Sequence, residues 1–76
     1  SKYYFARLFK KSTGYSPYEY LIVTRLNYSK ELLKTTEMPI SEIALKSGFG
    51  SPSHYIKVFK QKEGLTPLVF RRYWRS

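Results

Sequence analysis

Ser53, Ile56 and Lys57, followed by Lys60, are residue types that can read the edge of a base pair. At about 100° per residue they share one side of a helix, opposite Tyr55, Val58 and Phe59. A serine hydroxyl donates or accepts, a lysine ammonium favours the O6 and N7 acceptors of guanine, and an outward isoleucine suits a thymine methyl group. A single exposed apolar residue is also common on ordinary surfaces, so Ile56 carries weight only beside its polar neighbours.

The same arrangement occurs a second time. Shifted by fifty positions, Ser1–Tyr20 overlays Ser51–Phe70, with five identical pairs: Ser1/Ser51, Phe9/Phe59, Lys10/Lys60, Gly14/Gly64 and Pro17/Pro67. The apolar triplet Tyr55, Val58, Phe59 corresponds to Phe5, Leu8, Phe9, so both triplets are expected to be buried. The outward set corresponds to Tyr3, Ala6, Arg7 and Lys10, where Arg7 could grip a guanine with two parallel hydrogen bonds. Two copies at so long a period are not a solenoid. They read as duplication of one binding unit.

Other polar residues have a plainer use. Lys2, Lys10, Lys60 and Arg25 are expected to touch phosphate or to stay solvated, which positions a protein on a duplex without reading sequence. Ser51 suits a helix N-cap, with a phosphate at the same helix end as its second reading. His54 flanks the reading face and has two readings, a phosphate contact or an exposed residue without a role. Arg71, Arg72 and Arg75 read equally well as clamps on a nucleic-acid backbone or as a solvated helix end.

The elements that must hold these residues are helices. Lys2–Thr13 is predicted helical, ending at Gly14. Ser16 and Glu19 have capping-box spacing ahead of a long helix from Pro17 to about Thr35. Its apolar side is expected to hold Leu21, Ile22, Leu26, Leu32 and Leu33, and nineteen residues at about 1.5 Å span roughly 28 Å, the length of a rigid spacer. Thr36–Pro39 breaks that helix. Ile40, Ile43 and Ala44 then recur at the spacing of one buried stripe, and Gly48 supplies a turn. Phe49 is an apolar plug, and Ser51-Pro52 restarts helix. This is a helix-turn-helix, the unit that lays its second helix in a DNA major groove. Gly64 ends that helix, and Thr66-Pro67 opens a last one with Val69, Phe70, Tyr73 and Trp74 as its expected apolar face and the arginines turned elsewhere.

Composition narrows the function classes. Fourteen Lys and Arg stand against five acidic residues, all Glu, for a formal net charge of +9 in 76 residues. That balance favours a polyanion, either nucleic acid or an anionic membrane surface. The charges split between two helices whose apolar stripes suit a globular core, which argues against a membrane-surface helix, and no run approaches the roughly 18 apolar residues that span a bilayer. A groove-reading helix does not fit the deep, narrow major groove of A-form RNA. The chain has no cysteine and one histidine, hence no thiolate zinc site and no disulfide framework. No Asp and no converging Glu pair point to catalysis, so an enzyme is not expected, nor a metal or other cofactor. A cytoplasmic protein is the expected location.

The string GFGSPSHYIKVFKQKEGLTP is similar to the C-terminal signature of the AraC/XylS family of bacterial transcription regulators. YYFARLFKKSTGYSPYEYL resembles the matching part of that family's first helix-turn-helix, RLNYSKELLKTT its connecting helix and ISEIALKSGF its fifth helix. The resemblance covers essentially the whole chain. It implies two helix-turn-helix units joined by a long helix, reading successive major grooves on one face of DNA. In two respects the chain departs from the pattern: it begins at what should be the first unit's recognition helix, and Ser29 stands where the family usually packs a small alanine.

The resulting expectation is an all-α domain over 1–76, divided into a remnant of the first helix-turn-helix (1–16), a linker helix (17–36), and the second helix-turn-helix with a C-terminal helix (37–76). Its expected function is sequence-specific double-stranded DNA binding in the major groove, with base contacts from Tyr3, Ala6, Arg7, Ser53, Ile56 and Lys57. Phosphate contacts are expected from Lys2, Lys10, Arg25, Ser51, His54 and Lys60. The rival class is a protein-interaction module that touches the transcription machinery, RNA polymerase in particular, and has only non-specific DNA affinity. The resemblance further implies a longer regulator with an upstream effector or signal-receiving domain, through which it could dimerise.

Overall fold

Four hydroxyl residues, Ser1, Ser16, Ser51 and Thr66, each stand one position ahead of a helix and accept a hydrogen bond from the backbone N–H three residues on, at 3.2–3.3 Å. Each satisfies one of the donors that a helix start leaves without a partner. The computed structural model describes residues 1–76 as five helices: α1 (Lys2–Thr13), α2 (Pro17–Thr35), α3 (Ile40–Lys46), α4 (Pro52–Glu63) and α5 (Pro67–Arg75). The fold is all-α, as the sequence predicts. At the start of α2 the capping box is complete, with the Glu19 carboxylate accepting from the Ser16 N–H at 3.3 Å. Gly14 and Gly64 close α1 and α4 in the left-handed conformation, at φ 82° and 85°.

The core is built from α2 to α5. Ile22, Leu26 and Leu33 of α2 meet Ile43 and Ala44 of α3, Phe49 of the turn, Tyr55 and Phe59 of α4, and Phe70 of α5. Its aromatic rings form a ladder: Phe49–Tyr55 at 5.0 Å, Tyr55–Phe59 at 5.7 Å and Phe59–Phe70 at 5.5 Å between centroids, tilted or edge-on, the geometries that ring quadrupoles favour. Ser29 is fully buried in this core, and its hydroxyl donates to the Leu26 carbonyl at 2.8 Å. Its proton is thus committed to its own helix. The neighbouring Tyr55 phenol finds no hydrogen-bond partner of good geometry. Burial pushes that phenol's pKa up, with the Ser29 hydroxyl and the Arg71 charge pulling the other way.

Three sequence expectations are corrected here. The triplet Phe5, Leu8, Phe9 is not buried: Phe5 is 59% and Leu8 47% exposed, and no residue of α1 is buried. Only Phe9 leans inward, edge-on to Tyr20 of α2 at 5.4 Å. The reason is the lack of a covering element, since α1 packs on α2 whereas α4 packs on both α3 and α5. In α2, Leu21 lies on the exposed side, and the buried stripe is Ile22, Leu26, Ser29, Leu33.

The third correction concerns α5. Its inward side is Pro67 and Phe70 with Arg71 beside them, while Val69 and Tyr73 face out. Arg71 turns inward because it has a carbonyl to reach: its Nε donates to the Leu33 carbonyl at 3.1 Å. Arg75 bonds the Thr36 carbonyl and the Glu37 carboxylate, and the Lys34 ammonium sits 4.1 Å from the Trp74 ring centroid. Two arginines thereby occupy the C-terminal end of α2, where free carbonyls and the helix dipole favour cations. With the Lys30–Glu63 ion pair at 3.1 Å, the second half of α2 is tied to α4 and α5 by polar links as well as by the core.

Candidate nucleic-acid interface

The turn between α3 and α4 fixes the direction in which α4 leaves. Phe49 N–H bonds the Ala44 carbonyl at 3.0 Å and Gly48 N–H the Leu45 carbonyl at 3.1 Å, the paired closure of a Schellman motif. Gly48 takes φ 92°, a conformation that L side chains rarely adopt. Phe49, the residue after it, drops into the core at 3% exposure and completes the motif's apolar contact. Ser51 and Pro52 then start α4 as their residue types dictate, and the Ser51 and Ser53 hydroxyls lie 3.4 Å apart.

Because Tyr55 and Phe59 are fully buried, the opposite side of α4 faces solvent. Ser53, Lys57 and Lys60 are exposed there with Ile56, which is 38% exposed, and His54 stands exposed at the edge, its ring 5.9 Å from that of Phe49. On α1, Lys2, Tyr3, Arg7 and Lys10 are exposed, Tyr3 at 76%, while Ala6 is half-buried. Ser51 is half-buried as the α4 cap. Arg25 stands apart from both groups: it is half-buried, and its side chain lies against Gly48. The candidate residues thus form two faces on two helices, plus one arginine at the turn between α3 and α4.

The charges on these faces are not neutralised from within. The protein's ion pairs are Lys30–Glu63, Lys34–Glu31 and Arg75–Glu37, so Lys2, Arg7, Lys10, Lys57 and Lys60 have no carboxylate partner. Five cations left free on two outward faces can neutralise an external polyanion.

The structure adds residues that sequence reasoning passed over. A cleft of about 370 Å³ runs between α2 and α4, with Tyr18, Glu19 and Ile22 on one side and His54, Lys57 and Gln61 on the other. Gln61 follows Lys57 by four positions, a spacing that places both on one helix side, and this was the signal for it. Tyr18 gave none, because it is brought there by packing. Within the cleft the Ser16 hydroxyl and backbone N–H hold the Glu19 carboxyl below its ordinary pKa, helped by the charges of Lys10 and Lys62.

A helix-turn-helix domain model matches residues 1–73. The chain belongs to the AraC/XylS family. It is 40% identical over 72 residues to the transposon Tn10 TetD protein of Escherichia coli, covering 95% of this chain and 52% of that protein. To the transcriptional activator RhaR of Cronobacter sakazakii it is 35% identical over 68 residues, covering 90% of this chain and 24% of RhaR. Among solved structures it is similar to the DNA-binding domain of the global transcriptional factor AdpA in complex with a target DNA, with TM-score 0.92 and 32% identity over 99% of this chain and 68% of that one. The C-terminal domain of AraT, a response regulator from Geobacillus stearothermophilus, superposes with TM-score 0.90 and 34% identity over 96% of this chain and 60% of that one. The five helices are those of the AraC-type DNA-binding fold, a fold of transcription regulators rather than of enzymes. The chain spans about a quarter of RhaR and about half of TetD.

Proposed function

We propose that this AraC-type domain binds double-stranded DNA sequence-specifically, with α4 in one major groove and α1 in the next, as part of a bacterial transcription regulator. The observation that carries this reading is the outward side of α4, where Ser53, Ile56, Lys57 and Lys60 stand exposed, the two lysines without a carboxylate partner, on a helix held firmly from behind. Ser53 and Lys57 supply hydrogen bonds to base edges and Ile56 meets a thymine methyl group, with Tyr3, Ala6 and Arg7 in the equivalent places on α1. Lys2, Lys10, Ser51, His54 and Lys60 touch phosphate and set the register. The match over 99% of the chain to a domain solved on its target DNA supports this assignment.

The two units are related by translation along α2, so the target is asymmetric, with two boxes about 10 bp apart. Residues 1–16 are the reading part of the first unit, 17–36 the linker and 37–76 the second unit with its closing helix. The exposed Phe5 and Leu8 suit burial by an upstream part of a longer cytoplasmic regulator, which also carries signal reception and dimerisation.

The test is retention of the chain on duplex DNA across a salt series. With about five phosphate contacts, log affinity falls against log salt with a slope near −4 to −5. A flat dependence would contradict groove binding. A second reading, docking on RNA polymerase, draws on the outward residues Leu68, Val69 and Tyr73 of α5, all exposed. Substituting those three with serine leaves duplex affinity unchanged and weakens a polymerase complex if that reading also holds.

A further inference from the structure

Arg25 does not have the surroundings of the other free cations. Lys2, Arg7, Lys10, Lys57 and Lys60 are exposed on the two outward faces, whereas Arg25 is half-buried near the middle of α2. It makes no salt bridge, and none of its guanidinium N–H groups donates to a protein acceptor. Its location is set by packing instead. A Cβ built on Gly48 would lie 2.8 Å from Arg25 Nε, 3.3 Å from Cδ and 3.4 Å from Cζ. The same construction at Gly14 and Gly64, which have nearly the same φ, meets nothing within 4 Å. Of the three glycine turns, the one that aims α4 is therefore also the one covered by a side chain from the linker helix.

We propose that Arg25 is a positioning residue, which lies across Gly48 and holds the α3–α4 turn at the angle that presents Ser53 and Lys57 to DNA. It acts on recognition through the turn and not through a phosphate. The proposal rests on the DNA-binding reading given above. Gly48 is then required for its positive φ, and the end of the arginine side chain fills the space a Cβ would take. The stem and planar head of Arg25 matter through their shape, because lysine keeps the charge but lacks the flat surface, while methionine keeps an unbranched stem of similar length without charge.

Two measurements on the 76-residue chain decide it. The first uses no DNA: unfolding midpoints are compared for wild type, Arg25→Ala, Gly48→Ala and the double variant. Gly48→Ala is expected to lower the midpoint by somewhat less in the Arg25→Ala background, where no side chain has to move aside and only the backbone cost remains. Equal losses in both backgrounds overturn the contact.

The second measures affinity and salt slope on the tightest duplex selected from a random pool. Arg25→Met and Arg25→Lys, which keep a stem but lose the flat head, are each expected several-fold weaker than wild type, and Arg25→Ala about tenfold weaker. All three keep the wild-type slope. If Arg25→Lys binds like wild type while Arg25→Met and Arg25→Ala each lose about one unit of slope, the residue is a phosphate contact and the proposal fails. Failure of the wild-type chain to select any duplex would instead sink the DNA-binding reading, and the unfolding comparison would still decide the contact.

Discussion

Phe9 and Phe59 stand at the same register of a repeated pattern, yet one ring is half in water and the other is fully buried. Both follow a serine-capped helix start and both precede a glycine that ends the helix at φ near 80°. Local sequence therefore gives α1 and α4 the same form. What differs is the cover: α4 lies against α3 and α5, whereas α1 rests on the start of α2. The comparison teaches that the outward face of a helix is aimed by what packs behind it. The second unit carries its own support, and the first presents its polar side while its apolar side stays open.

The largest expected effect separates the two rings directly. Phe59→Ala should destabilise the chain by about 3–5 kcal/mol, the range for removing a fully buried aromatic side chain. Phe9→Ala should cost only about 1 kcal/mol, since its ring already meets water. Urea unfolding of both variants checks this, and equal losses would break the comparison. Next in size is recognition: Lys57→Ala should cost about 1–3 kcal/mol of binding and relax preference at one or two base pairs, and Arg7→Ala should cost less. Competition binding on single-position variants of a selected duplex reads both. A Lys57→Ala loss that is uniform across sequences would make Lys57 a phosphate contact.

Smaller effects sharpen the same contrast. The Lys30–Glu63 pair, about a quarter exposed on each side, is expected to contribute about 0.5–1 kcal/mol in a double-mutant cycle, because solvent still screens it. On the side of the first unit the corresponding link is the capping box. Glu19 is held below its ordinary pKa, so the help it gives is present above that ordinary value and is lost as pH falls through the lowered folded-state pKa. Amide protection in the first turn of α2 should fall in that acid window in wild type, and should not in Glu19→Gln, whose amide can still complete the box. A pH-independent first turn in wild type would remove Glu19 from this role.

Much of the fold was legible because its signals are local. Capping hydroxyls, three turn glycines and the spacing of Ile43, Ala44, Tyr55 and Phe59 place helices α1–α4 within their observed bounds and bury the correct side of α4. Exposure of α1 was not legible, since a twelve-residue pattern names the apolar side of a helix and not whether anything covers it. The face of α5 was misread because arginine counts as outward in any polarity pattern. Arg71 points inward only because the carbonyl of Leu33, far away in sequence, needs a donor. The candidate reading residues are chosen from helix spacing and side-chain chemistry, and on α4 the structure leaves Ser53, Ile56 and Lys57 exposed. The Arg25–Gly48 approach was not legible, because neither residue carries a local sign of the other.

The most direct measurement of the central claim, that two translated faces of unequal support read one duplex, is selection of double-stranded DNA from a random pool by the 76-residue chain. The account predicts one asymmetric site: a sharply specified box matched to Ser53, Ile56 and Lys57, with a weaker box about 10 bp away matched to Tyr3, Ala6 and Arg7. A palindromic site bound by one monomer, or recovery of the pool without enrichment, would contradict it.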